Sequence, residues 1–338
     1  MDWFERLTGF RESNYADTRA KIKVEGRELQ SLVNGRSYGI GELELVSLQS
    51  LRERAVPPPG SPAGRLKLAA VNGDVRRMHR LPANAGALFQ VASQFNLLEM
   101  TGPAVTPEHG VTRYQSDPTQ GPACAIAAGA ATIYRNYFAP VGDSCGQTAT
   151  RQLDGLADVG ETLAAHLNRP VEALWQMTNG YALCTGVGLD AIAEHLKGLT
   201  SDQLDTLRGR LRVGVHNDVE VTDAEGTHRP RVSQVFCSAL PVAYSGVPSA
   251  HWKPFASLVL EAAYEATLLA AVLNKQRGMS NVVLLTHLGG GAFGNEDGWI
   301  DAAVRRALTI TSRFELDVRI VSYGASTPKT RQLVEDFS

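Results

Sequence analysis

A run of glycines occupies residues 288–295 (Leu-Gly-Gly-Gly-Ala-Phe-Gly-Asn), near the carboxyl end of the chain. It follows a short apolar stretch at 281–286 and precedes a segment with helical apolar spacing. Glycine lets a backbone approach a ligand closely and adopt positive φ, and successive N–H groups beside a helix start form an anion site. Asn295 and Asp297 are good helix N-caps. We therefore expect this loop to bind a phosphate-bearing ligand; the alternative is a tight strand-to-helix turn without a ligand.

The same loop fits the pattern G-x-G-x-x-G of dinucleotide-binding units. That pattern normally opens such a unit, and a ribose-binding acid follows about 20 residues later, at the end of the next strand. Here one further strand remains, and it ends Val-Ser-Tyr-Gly at 321–324, without an acid. A nicotinamide-dependent dehydrogenase is therefore the weaker interpretation.

Strand and helix patterns alternate around this loop, most clearly in the last third of the chain. Strands are predicted at 65–71, within 90–98, at 232–243, 281–286 and 316–322, and helices at 121–137, 257–276 and after 295. The continuous apolar run at 281–286 is typical of a strand whose sheet is covered on both faces. Such alternation predicts a sheet layered between helices.

Two segments differ from this pattern. The proline-rich stretch 57–62 breaks regular structure, so we expect an N-terminal extension over 1–56 and the main domain over 57–338. Leucines at helical spacing predict a helical insertion at about 140–210.

Composition excludes several classes of protein. The chain has 338 residues, 43% hydrophobic and 20% charged, which is typical of a soluble globular protein. A net charge of −2 gives no basic surface for nucleic acid. The longest apolar stretch, 257–273, contains Glu261 and Glu265, is too short to span a bilayer and is predicted to be a buried helix. The first residues lack the charged-then-apolar pattern of a secretory signal peptide. The cysteines, Cys124 and Cys237 among them, do not have the spacing of a metal site. We expect a cytoplasmic protein with no membrane partner, no metal and no cofactor.

Four motifs, in order, resemble those of the macrodomain superfamily. Residues 71–75 (Val-Asn-Gly-Asp-Val) look like its Gly-Asp-Ile element after the first core strand, and 120–129 are similar to its glycine loop entering an alanine-rich helix. Residues 233–241 resemble the strand that ends in a proline. Residues 289–295 look like the second phosphate loop, closest to the Gly-Ala-Phe-Gly form of poly(ADP-ribose) glycohydrolase-like members. The likeness covers about two thirds of the chain, outside the N-terminal segment and the insertion.

This resemblance implies a three-layer α/β/α sandwich with a mixed central sheet, plus the helical insertion, which could contact a protein partner. It implies ADP-ribose or an ADP-ribosylated substrate as ligand. Asp74 would accept a hydrogen bond from the adenine amino group, and the Val75 N–H would reach a ring nitrogen. Phe293 would pack on the distal ribose, which Gln94 or Asn96 would orient. The ligand-binding residues expected are Asp74, Val75, Gln94, Asn96, Gly121, Gly289, Gly290, Gly291, Ala292, Phe293, Gly294 and Asn295.

The chain departs from hydrolytic members of that superfamily at two places. Ala123 stands where some members carry an aspartate, and the nearest counterpart of the glycohydrolase Gln-Glu-Glu triplet is Gln-Ser-Asp at 115–117. Cleaving an ADP-ribosyl bond needs a general acid or a positioned water near the distal ribose. By the resemblance, the long segment 99–120 places acidic residues near the distal ribose. Of these, Glu99 and Asp117 are the catalytic candidates. We expect an ADP-ribosyl hydrolase in the metabolism of NAD-derived nucleotides; the alternative is a module that senses ADP-ribose without turnover.

Overall fold

The computed structural model describes residues 1–57, 64–226 and 228–337. The breaker segment predicted at 57–62 lies, apart from Pro57, outside the described residues. The strands are β1 (Ile22–Glu25), β2 (Glu28–Ser31), β3 (Ser37–Gly39), β4 (Glu42–Ser47), β5 (Lys67–Asn72), β6 (Leu88–Ala92), β7 (Pro140–Val141), β8 (Ser144–Cys145), β9 (Trp175–Thr178), β10 (Tyr181–Cys184), β11 (Arg212–Glu220), β12 (Arg231–Cys237), β13 (Val282–Leu285) and β14 (Asp317–Ser322). The helices are α1 (Trp3–Thr8), α2 (Tyr15–Ala20), α3 (Leu48–Arg54), α4 (Val75–Arg80), α5 (Gln120–Ala127), α6 (Gly129–Tyr137), α7 (Ala157–Leu167), α8 (Gly186–Lys197), α9 (Ser201–Gly209), α10 (Ser249–Gln276), α11 (Asp297–Thr311) and α12 (Pro328–Asp336).

A mixed seven-stranded sheet, in the order β4-β11-β12-β6-β13-β14-β5, forms the middle layer. Strand β11 is antiparallel to both of its neighbours, β4 and β12. The other four pairs are parallel: β12–β6, β6–β13, β13–β14 and β14–β5. Helices α4, α5 and α6 cover one face, and α10 and α11 pack in the core on the other. All four residues of β13 are buried, as its continuous apolar sequence predicted. The predicted three-layer α/β/α sandwich with a mixed sheet is confirmed.

Helix α10 fills the core behind this sheet. It begins at Ser249, eight residues before the predicted start, and is the one helix among the described residues with the length and hydropathy of a membrane span. In its most apolar window 83% of the residues are buried in the protein, so it is a core helix. Glu265, 2% exposed, is tolerated there because Arg52 and Arg306 both donate to its carboxylate.

The helix predicted at 121–137 is broken into α5 and α6. At Ala128 the backbone leaves the helical region (φ −112°, ψ 56°). The Asp223 N–H donates to the Ala127 carbonyl at 3.2 Å, and the Gly129 N–H donates to Thr222 Oγ1 at 2.8 Å. These tertiary partners take the backbone groups that a continuous helix would use.

The N-terminal segment and the insertion both reach the main domain. Strands β1 to β3 form a small sheet of their own, but β4 pairs with β11 and becomes an edge strand of the central sheet. The insertion contains α7, α8, α9 and the β9–β10 hairpin. Its predicted apolar positions Leu163, Leu189 and Ile192 are fully buried.

Candidate functional site

The parallel strands end at one edge of the sheet, where two adjoining cavities of about 320 and 850 Å³ open. Asp117, Thr119, Gln120, Thr286 and His287 lie in the walls of both, so the cavities form one cleft. A crevice at the carboxyl ends of the strands is the usual ligand site of open α/β sheets. We call the smaller part the inner cavity and the larger part the outer cavity.

The glycine loop between β13 and α11 borders the inner cavity. It is closed by hydrogen bonds of its own, since Gly290 N–H donates to His287 O, Gly294 N–H to Gly291 O and Asn295 N–H to Gly289 O, at 2.9 to 3.2 Å. The buried Asn295 side chain also donates to Leu240 O at 2.8 Å, which fixes the loop to the end of β12. Asn295 therefore holds the loop, and Gly290, Gly294 and Asn295 do not themselves line the inner cavity.

The remaining amides of this loop are available to a ligand. Within the described parts of the chain, the N–H groups of Gly289, Gly291, Ala292 and Phe293 have no hydrogen-bond partner. All four residues line the inner cavity, as does Leu288, whose N–H already donates to Thr286 O and to the Tyr264 hydroxyl. Several free N–H groups around one hollow make an anion site.

Two glycines of the loop are required by its geometry. Gly289 and Gly294 have left-handed φ values of 75° and 71°. A Cβ at Gly289 would overlap that of Ala239, and one at Gly294 would lie 2.9 Å from the Cβ of Ala243. Gly291 has no left-handed φ and open space around it, so a side chain there would enter the cleft without straining the loop.

Asp74 and Val75 lie in the wall of the outer cavity, at the start of α4. Asp74 is the N-cap, and its Oδ1 accepts from Arg76 N–H at 2.8 Å and Arg77 N–H at 3.3 Å. Within the described residues its Oδ2 accepts no hydrogen bond and lies 3.9 Å from Nε of Arg77. Val75 occupies the first helical position, where an amide has no intrahelical acceptor. The helix-starting role of Asp74 thus leaves one of its oxygens to a ligand.

The structure separates the two polar candidates of segment 93–96. Gln94 lines the inner cavity, but its amide is engaged with the backbone of Met100 and with the Tyr181 hydroxyl. Asn96 lines neither cavity: it is fully buried, donates to Gln152 Oε1 at 2.8 Å and accepts from Leu98 N–H at 3.1 Å. Asn96 therefore shapes the loop and is not brought to the cleft. The strand predicted within 90–98 ends at Ala92, which leaves these residues in a loop.

Glu99 is buried, at 2% exposure, in the wall of the inner cavity. Its Oε1 lies 3.5 Å from Nη2 of the fully buried Arg135, whereas Oε2 has no hydrogen-bond partner among the described residues. Burial raises the pKa of Glu99 to about 7, against the opposing effect of Arg135. A carboxyl that changes charge near neutral pH is suited to proton transfer.

Asp117, the second acidic candidate, lies at the junction of the two cavities. It is half-buried, and its Oδ1 accepts from the N–H and the hydroxyl of Thr119 at 2.9 and 2.6 Å. This turn precedes the first residue of α5, whose Gly121 also lines the inner cavity. A Cβ at Gly121 would overlap Ala92 O and lie 3.1 Å from Glu99 Cγ, so the glycine lets the helix start approach Glu99.

Three aromatic rings form the wall of the inner cavity beside the glycine loop. Phe293 lies 5.3 Å from Tyr181 and 5.6 Å from Tyr244 between ring centroids, and the two tyrosines lie 5.2 Å apart. Phe293 is only partly buried, so it is a wall residue of the cleft more than a plug of the core. Tyr181 comes from the insertion hairpin, and no sequence signal linked it to the site.

Other residues that sequence reasoning missed are Arg135 and Tyr323. Tyr323 follows β14, is 89% exposed and lines the outer cavity. Ala123 also lines the outer cavity, and His287 is half-exposed, with Nε2 3.6 Å from Asp297 Oδ1. No group of three or more metal-binding side chains occurs in the described ranges.

No protein-family model matches the chain, and no curated protein matches it. Among solved structures it is similar to poly(ADP-ribose) glycohydrolase from Deinococcus radiodurans in complex with ADP-ribose, at 11% identity over 87% of this chain and 94% of that one, with a TM-score of 0.44. It is similar to poly(ADP-ribose) glycohydrolase from Thermomonospora curvata at 13% identity, 92% and 94% coverage and a TM-score of 0.44. It is also similar to the structure of that protein bound to the inhibitor ADP-HPD, at 14% identity over 91% of this chain and 92% of that one, with a TM-score of 0.42. These likenesses are too distant to carry an argument about the chemistry of this chain.

Proposed function

We propose that this protein binds ADP-ribose, or an ADP-ribosylated substrate, along the cleft and hydrolyses its ADP-ribosyl linkage. The observation that carries the proposal is that the glycine-loop N–H groups without hydrogen-bond partners belong to residues that line the inner cavity. In the described part of the chain, the N–H groups of Gly289, Gly291, Ala292 and Phe293 have no hydrogen-bond partner, and all four residues line the inner cavity. A diphosphate is the group that such a set of N–H donors would bind.

The outer cavity suits the adenosine half of this ligand. The free Oδ2 of Asp74 accepts hydrogen bonds, as an adenine amino group requires, and the Val75 amide donates. Tyr323 offers an exposed ring to a base. An adenosine there and a diphosphate at the glycine loop would direct the distal ribose into the inner cavity, towards Glu99.

Glu99 would act as the general acid. In its neutral form it would give its proton to the oxygen that leaves the anomeric carbon while the carbon–oxygen bond breaks. Water would attack that carbon, and the Glu99 carboxylate would take up the proton that the water loses. The balance is one water consumed, with a free hydroxyl on each product. Asp117, at the mouth of the same cavity, is the second candidate for this role.

A non-catalytic module that senses ADP-ribose is the second candidate function. Ala123, in place of an acid, lines the outer cavity, and Oδ1 of Asp117 is engaged by Thr119. Glu99 would then be a buried carboxyl without a catalytic role. Binding without turnover is the behaviour that would establish this alternative.

Calorimetric titration with ADP-ribose, ADP and ribose 5-phosphate tests binding. We expect ADP-ribose to bind most tightly, since it occupies both cavities. Turnover of ADP-ribosylated protein, ADP-ribosylated nucleic acid and O-acyl-ADP-ribose is then compared for wild type, Glu99→Gln and Asp117→Asn. Loss of a general acid should lower turnover about 10²–10⁴-fold while ADP-ribose binding survives. Normal turnover in Glu99→Gln would exclude Glu99, and an absence of ADP-ribose binding would refute the proposal.

A further inference from the structure

We propose that Arg135 is a positioning residue for Glu99: its buried guanidinium holds Oε1 of the Glu99 carboxyl, and Oε2 remains without a hydrogen-bond partner among the described residues. This inference rests on the proposed function, because it gives Glu99 its orientation for proton transfer. Arg135 lines neither cavity and would touch no ligand.

The guanidinium of Arg135 is held from several sides. Its Nε donates to Leu97 O at 3.1 Å, and its Nη2 donates to Thr132 Oγ1 at 3.1 Å and lies 3.5 Å from Glu99 Oε1. The Cζ atom lies 3.8 Å from the centroid of the Phe236 ring. Because Arg135 is fully buried and fixed in this way, it can hold Oε1 of Glu99 in one place.

The carboxyl is oriented by contacts from two elements. The Tyr114 hydroxyl accepts from the Glu99 N–H at 3.1 Å, which fixes the backbone of Glu99. Oε1 then lies towards Arg135, and Oε2 has no hydrogen-bond partner in the part of the chain that the structure describes, while Glu99 itself lines the inner cavity. An unpartnered oxygen of a buried carboxyl is costly, and a substrate oxygen in the cavity would supply the missing partner.

The charge of Arg135 also affects the pH at which the Glu99 carboxyl loses its proton. The titratable groups around this pair are Tyr114, Cys124 and the buried His216. Burial raises the pKa of Tyr114 and of Cys124 well above their usual values and lowers that of His216 well below it, so all three are neutral near pH 7. Arg135, which stays protonated in proteins, is therefore the one charge of this group that opposes the effect of burial on Glu99.

Without Arg135 the desolvated carboxyl would keep its proton to higher pH. An opposite charge at this distance lowers the pKa of a carboxyl by about 1–3, so its removal should raise the Glu99 pKa by a similar amount. In a general acid this moves the alkaline limb of the kcat/KM profile upward in pH. It also lowers kcat, because the carboxyl releases its proton to the leaving oxygen less readily.

The test compares wild type, Arg135→Gln and Arg135→Lys in the full chain. The Glu99 carboxyl carbon is followed by NMR against pH and assigned with Glu99→Gln, and the pH profile of turnover is measured in parallel. In Arg135→Gln we expect the Glu99 pKa to rise by about 1–3 and kcat to fall by about 10–100-fold, a part of what a general acid contributes. Arg135→Lys keeps the charge and should restore most of the wild-type pKa and pH profile.

Thr132→Val provides a second variant if Arg135→Gln does not fold. It removes the hydroxyl that shares Nη2 with Glu99, so Nη2 should bond Glu99 alone and lower the pKa of Glu99 below that of wild type. A Glu99 pKa that is unchanged in the folded variants overturns the positioning role. The expected pKa changes without turnover of any substrate by wild type would instead refute the hydrolase proposal, and Arg135 would then set only the charge of Glu99.

Discussion

Substitutions at two positions of the glycine loop, Gly289 and Gly291, should have opposite effects on stability and on ligand binding. In Gly289→Ala the new Cβ would overlap that of Ala239 in a backbone with φ 75°. Left-handed backbone costs an alanine about 1–2 kcal/mol, and overpacking costs about 1–3 kcal/mol. We expect the free energy of unfolding to fall by about 2–5 kcal/mol. In Gly291→Val the side chain has open space and no left-handed φ, so stability should change by less than about 0.5 kcal/mol.

The order of the two variants reverses for ligand binding. Valine at 291 would occupy the hollow beside the free amides, and each hydrogen bond to a charged group contributes about 1.5–3 kcal/mol. Loss of two such bonds to the diphosphate weakens ADP-ribose binding by about 3–6 kcal/mol, which is at least about 100-fold in Kd. Gly246→Val is the matched control, because Gly246 is equally open and lines neither cavity.

Chemical denaturation and calorimetric titration of ADP-ribose measure the two effects. A Gly291→Val variant that binds ADP-ribose as tightly as wild type and Gly246→Val would show that the loop is a structural turn. A Gly289→Ala variant as stable as wild type would contradict the left-handed geometry of the loop.

The remaining predictions concern other parts of the cleft and the core. Asp74→Asn should keep the helix cap but weaken ADP-ribose binding by about 1–3 kcal/mol, and unchanged affinity by calorimetry would exclude adenine recognition by Asp74. Because the Glu99 pKa is raised to about 7 when folded and is near 4.5 when unfolded, wild type should lose about 2–3 kcal/mol of stability as pH rises from about 4.5 to 7; denaturation curves of Glu99→Gln should lack this component. Tyr181→Phe removes the hydroxyl that donates to Met100 O at 2.9 Å, so it should cost about 1 kcal/mol of stability with little change in calorimetric affinity. Glu265→Ala leaves Arg52 and Arg306 without their shared carboxylate, so the free energy of unfolding, measured by denaturation, should fall by about 3–5 kcal/mol. An unchanged free energy of unfolding would mean that these ion pairs are dispensable.

Local sequence determined the elements that carry the site. The apolar run 281–286, the glycines after it and the apolar stripe that follows predicted a covered strand, a loop and a helix, and the structure has β13, the loop and α11 in that order. These features depend on neighbours along the chain: alternation, backbone freedom of glycine and helical spacing. The same local physics predicted the buried helix of residues 257–273.

Tertiary structure decided which side chains meet at the cleft. One loop contains the polar residues Gln94, Asn96 and Glu99. Nothing in the sequence distinguishes Asn96, which is hydrogen-bonded to Gln152, from Glu99, which lines the inner cavity. Arg135 reaches Glu99 from 36 residues away, and Tyr181 reaches Phe293 from the insertion. Such contacts are set by how helices and hairpins pack on the sheet, and a buried carboxyl acquires its raised pKa only when that packing removes water from it.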